Sequence, residues 1–65
     1  MYIEKIGNNA GLVWTALENG ELEVKALKNA TKLIYNDLYA ALGWLAREEK
    51  LNFREEGKDL YISLV

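Results

Sequence analysis

At 65 residues, with 51% hydrophobic and 28% charged side chains, the chain has the composition of one folded domain spanning residues 1–65, near the lower size at which a single core holds without disulfides or metal. It contains no cysteine and no histidine, which removes disulfides, thiolate nucleophiles, the usual zinc ligands and the side chain best suited to proton transfer at neutral pH; no enzyme, cofactor or metal site is expected. The formal net charge of -2 gives no global attraction to a polyanion, so any nucleic-acid contact must rest on local patches.

The opening MYIEKIGNN carries no basic, apolar, small-residue leader, so the expectation is a cytoplasmic protein. In Met1 to Ile6, Ile3 and Ile6 fit a helical lead-in, whereas Tyr2, Glu4 and Ile6 fit an extended strand; an irregular or short-strand entry is expected. From about Asn9 to Asn19, Ala10, Val13, Trp14 and Leu17 recur at helical spacing. Asn8 or Asn9 is suited to cap that helix, and Gly20 suits the left-handed position after it. Trp14 then belongs to the core, where truncation to alanine costs about 3 to 5 kcal/mol.

Leu22 between Glu21 and Glu23 alternates like an edge strand and is expected to pair with the closing hairpin. Val24 to Thr31 reads as a second helix, with Val24, Leu27 and Ala30 inward and Lys25, Lys28 and Lys32 on its flank; Leu33 plugs the turn that follows. From Ile34 to Lys50 a third helix directs Ile34, Leu38, Ala41, Leu42 and Leu45 into one arc, with Tyr35 and Ala46 at its edge. The opposite arc holds Asn36, Ala40, Gly43 and Arg47, with Tyr39 on one shoulder and Trp44 with Asp37 on the other. The longest near-apolar run, Tyr39 to Ala46, is far short of the roughly 20 residues of a spanning helix, so no membrane partner is expected. Leu51 and Phe53, then Leu60, Ile62 and Leu64, alternate as two strands around a tight turn at Gly57.

This order, an α+β arrangement of three helices, a short edge strand and a C-terminal two-stranded hairpin wing, resembles the winged helix-turn-helix superfamily from Ile6 to Leu64. More closely, DLYAALGWLAREEKLNF at Asp37 to Phe53, with IGNNAGLVWTALENGELEV at Ile6 to Val24, resembles a small prokaryotic winged-helix family of unknown function. The LGWLARE stretch carries most of that likeness. The resemblance implies the fold and a role in transcription regulation, with no defined ligand.

Two uses of the third helix follow from its side chains. In a major groove of double-stranded DNA, Asn36 is able to pair with adenine and Arg47 with guanine or phosphate, while Ala40 reaches only a thymine methyl. Lys25, Lys28 and Lys32, with Arg54 and Lys58 on the wing, are the cations available for phosphates, and Glu55, Glu56 and Asp59 oppose them at the wing tip. Alternatively, Tyr39 and Trp44 flanking the short Gly43 make a protein-contact face, in a module that forms a homodimer or meets another protein partner and does not itself bind DNA. Against both stands the plain reading of solvated polar side chains and a Trp44 that completes a small core. The neighbouring carboxylates Glu48 with Glu49 and Glu55 with Glu56 point in different directions, which disfavours acid/base chemistry.

Overall fold

The computed structural model describes residues 2–65. Among them run three helices and three strands in the order α1 (Tyr2–Leu17), β1 (Leu22–Glu23), α2 (Val24–Thr31), α3 (Tyr35–Arg47), β2 (Leu51–Glu56) and β3 (Asp59–Leu64). The strands form one antiparallel sheet ordered β1-β3-β2. This is the expected α+β architecture, including the edge strand: Leu22 pairs with Ile62 and Glu23 with Tyr61.

The first helix differs from its expected bounds. It begins at Tyr2, so the irregular or short-strand entry assigned to Met1 to Ile6 is replaced by helix; Met1 itself lies outside the described residues. The physical reason is tertiary. Ile6, Ala10, Val13 and Leu17 form one stripe whose buried members pack mainly against α3, and this burial outweighs the weak helix propensity of Gly7, Asn8 and Asn9. Asn8 and Asn9 therefore sit in the second turn of α1 and cap nothing. The helix ends at Leu17, earlier than Asn19; Gly20, at φ +129°, donates its N–H to the Leu17 carbonyl at 3.1 Å.

The buried set joins Val13 and Leu17 of α1, Leu27 of α2, Leu38 and Leu42 of α3, and Ile62 of β3 in one cluster, with no buried polar side chain among the described residues. Three expected core members are outside it. Trp14 is 37% exposed, with Lys50 Nζ 5.8 Å from its ring centre. It stands one helical step of about 100° from Val13, at the rim of the inward arc, and a lysine stem covers it there. Ala30 is exposed because each three-residue step from Val24 rotates about 60° off the stripe, and two steps carry it out of the core. Ile34 is the N-cap of α3, with extended backbone at φ −73° and ψ 159°, so the helical period does not aim its side chain inward and it is exposed.

Between α2 and α3 the chain turns on Lys32, which adopts the left-handed conformation at φ 60° and donates its N–H to Lys28 O at 2.8 Å. The Thr31 hydroxyl donates to Leu27 O at 2.9 Å and accepts from the Leu33 N–H at 3.4 Å, while Leu33 packs at the margin of the core as expected. At the wing, Glu56 pairs with Asp59 across a two-residue turn. Gly57 takes φ +61° and Lys58 does not take a positive φ, the pattern of a II′ turn, whose twist matches the flanking strands. No described helix is long and apolar enough to cross a membrane.

Candidate functional site

The exposed surface of α3 is divided along its length. At its first two turns, Tyr35 and Tyr39 lie four residues apart on one side, their ring centroids 6.1 Å apart and their planes inclined by only 21°. They are 43% and 52% exposed. Both line a groove of about 440 Å³ whose other walls are Glu23, Val24 and Lys25 at the start of α2, with Lys58 and Leu60 from the wing. Lys28, from the next turn of α2, places Nζ 5.1 Å from the centre of the Tyr35 ring. The groove thus brings three lysines to two exposed aromatic rings, against the single carboxylate of Glu23. Neither Lys25 nor Lys58 takes part in an ion pair among the described residues.

Toward its C-terminus α3 presents different chemistry. Trp44, 38% exposed, borders a second depression of about 300 Å³ with Arg47 and Glu48. Gly43 beside it is exposed, and a Cβ built there meets nothing among the described residues within 4 Å. The flank of Trp44 also carries Asp37, which is mostly covered and forms an ion pair with Lys5 of α1 at 3.4 Å. That pair joins the first turns of α1 and α3 and places the carboxylate at a helix N-terminus, where negative charge is favoured.

The outer face of the sheet holds a third cluster. Arg54 on β2 lies 4.3 Å from the centre of the Tyr61 ring on β3 and reaches across it to Glu21, with Nε at 3.1 Å from Oε2 and Nη2 at 2.7 Å from Oε1. Its remaining Nη1 binds Glu56. The hydrogen bonds from Arg54 hold the Glu21 carboxyl below its ordinary range, and the two carboxylates raise Arg54 further above its own. Three of the five guanidinium N–H groups are therefore engaged by two carboxylates, from the wing and its neighbour, while the side chain stays part-exposed.

The candidates from the sequence fall into separate places. Asn36 and Arg47 are exposed on the outward line of α3, with Ala40 half-buried between them. Lys58 lines the groove at the N-terminal half of α3 together with Lys25, and Lys28 stands over the Tyr35 ring. Lys32 sits apart at the α2 cap, and Arg54 is engaged on the sheet. Tyr39 and Trp44, expected to flank one stripe, line different depressions on opposite sides of it. The sequence reading did not single out Tyr35 as Tyr39's partner, although the four-residue spacing on one side of a helix is the signal for such a pair.

Comparisons with known proteins agree with the fold. The winged helix-turn-helix domain model DUF2582 matches residues 1–64. An uncharacterized protein of Methanocaldococcus jannaschii is 36% identical over 66 residues, an alignment covering 92% of this chain and 90% of the relative. Among solved structures, reduced HlyU from Vibrio cholerae is similar with a TM-score of 0.81 at 25% identity, over 97% of this chain and 67% of that one.

Proposed function

The chain belongs to the DUF2582 family of winged helix-turn-helix domains, and on that premise we propose a non-enzymatic, DNA-binding module of transcription-regulator type, acting in the cytoplasm. The observation that carries this reading is the groove beside α3, lined by Lys25 and Lys58 with Lys28 over the Tyr35 ring, on a helix whose outward line exposes Asn36. Three cations, two on α2 and one on the wing, are available to one phosphate backbone, and Asn36 is the residue of the outward line suited to an adenine edge. The contact is weak and sequence-tolerant. Ala40 and Gly43 are too short for base edges, and Arg54 is held by Glu21 and Glu56. With about three phosphates neutralised, log K falls against log salt with a slope of about −3. Fluorescence anisotropy of labelled random-sequence DNA, as duplex and as separated strand, tests this over a salt series. No binding of either form at low salt would sink it.

A second reading is favoured by Gly43 and Trp44. The chain's own packing does not require a glycine at position 43, since an added Cβ meets open space among the described residues, and a glycine inside a helix costs about 1 kcal/mol relative to alanine. A half-exposed tryptophan beside that opening suits a protein contact, with a second copy of the chain as the simplest partner. Sedimentation of the wild type and Trp44→Asp at high micromolar concentration distinguishes the cases: a monomeric wild type excludes the homodimer.

A further inference from the structure

We infer that the groove between α3, α2 and the wing takes a single nucleic-acid strand, with an unpaired base stacked on Tyr39 and its phosphates held by Lys25 and Lys58. This rests on the DNA-binding reading above and names the form of nucleic acid that the same site prefers. On α3, Tyr39 lies about 60° and Tyr35 about 100° from the line through Asn36, on one side of it. When that line faces a duplex, the two rings look sideways into the groove, away from the base edges.

A duplex in any case offers only base edges and backbone, because its base faces are already stacked. A ring engages a base face only when the strand is unpaired or the base is turned out. Here an offset-stacked pair of tyrosines stands half-exposed, with Lys28 over one of them and Lys25 and Lys58 on the facing walls. This combination of aromatic platform and flanking cations is what strand binding without sequence preference uses. The groove is open to solvent along its length, and its volume of about 440 Å³ leaves room for one nucleotide to lie against the rings. The features a duplex would need are weaker. The outward line supplies Asn36 and Arg47 as base readers, with the short Ala40 and Gly43 between them. On the wing, Arg54 is committed to Glu21 and Glu56, which leaves Lys58 to meet a second strand.

The test is anisotropy at low salt with a labelled mixed-sequence single strand of twelve nucleotides, as DNA and as RNA, beside the corresponding DNA duplex. The expected result is at least tenfold tighter binding of a single strand than of duplex. Tyr39→Ala should weaken the single strand about tenfold with little change for duplex, and Tyr39→Phe should retain binding, since the ring and not the hydroxyl stacks. Lys58→Glu should weaken both forms. Thermal melting of each variant shows whether the half-exposed substitutions leave the fold intact. Duplex bound as tightly as the single strand, or a Tyr39→Ala variant indistinguishable from wild type on single strands, would overturn the inference and leave the DNA-binding reading standing. Binding of none of the three probes would overturn both.

Discussion

The two ends of α3 share one core and differ in almost everything they show to solvent. The N-terminal half sets Tyr35 and Tyr39 beside Lys25 and Lys58, with Lys28 over Tyr35, so aromatic faces and cations meet at one groove. The C-terminal half sets Gly43 and Trp44 beside Arg47 and Glu48, a mixture with no excess charge. The contrast shows that the helix at the heart of this fold is not one reading surface. Its first turns show two aromatic rings beside cations, and its last turns a tryptophan beside one charge of each sign.

The largest expected effect tests whether the two ends depend on a common support. Leu38 is fully buried beneath the N-terminal half and contacts the same cluster as Leu42 and Leu45. Leu38→Ala should cost about 2–5 kcal/mol, comparable with the whole stability of so small a domain. Circular dichroism on thermal melting should show α1 and α3 lost in one transition. Trp14→Ala should cost clearly less, in keeping with its place at the rim; an equal loss would return Trp14 to the core.

Next in size is the difference in affinity between the ends. Lys25→Glu combined with Lys58→Glu should weaken DNA at low salt by about tenfold or more, while Arg47→Glu, outside the groove, should change it by less than about threefold. A larger effect at Arg47 would reverse the division and return base reading to the outward line of the helix. A smaller effect belongs to the C-terminal half alone. Gly43→Ala fills open space in a helix, so it should raise stability by about 0.5–1 kcal/mol, seen as a Tm higher by a few degrees. If the same variant also disperses an oligomer, the glycine serves a partner rather than the fold.

Much of this architecture is legible in the sequence, for reasons specific to each element. The inward arc Leu38, Ala41, Leu42, Leu45 keeps helical period without interruption, and all four are buried. The alternation around Gly57 leaves little choice of register once a two-residue turn is set. Where periodicity competes with tertiary burial, the sequence is a poorer guide. Gly7, Asn8 and Asn9 read locally as a helix boundary, and only the packing of α1 on α3, reinforced by Lys5 and Asp37, carries the helix through them. The candidate site was less legible still. Tyr35 and Tyr39 are near in sequence, but Lys58 meets them only after the hairpin folds back, and Arg54 meets Glu21 across 33 residues. A count of wing cations made before folding includes an arginine that the fold then withdraws.

The withdrawal of Arg54 gives the smallest and most specific prediction. Because Glu21 has a depressed carboxyl in the folded protein, its pairing with Arg54 stabilises the fold at every pH above the ordinary glutamate range, and that contribution is lost as pH falls through the lowered value. Arg54, raised above its usual value, stays charged throughout and adds no pH dependence of its own. The Tm of wild type and Glu21→Gln should therefore differ slightly at neutral pH and converge as the pH falls below the ordinary glutamate range and through the lowered value. The gap should also shrink with added salt, since the pair is solvent-exposed. A gap that persists at low pH would mean that Glu21 acts through packing and not charge. The same variant bears on the division of α3. With Glu21 neutral, Arg54 keeps only Glu56, and a guanidinium released on the outer face of the sheet should raise duplex affinity more than single-strand affinity, because it lies outside the groove that the two tyrosines line.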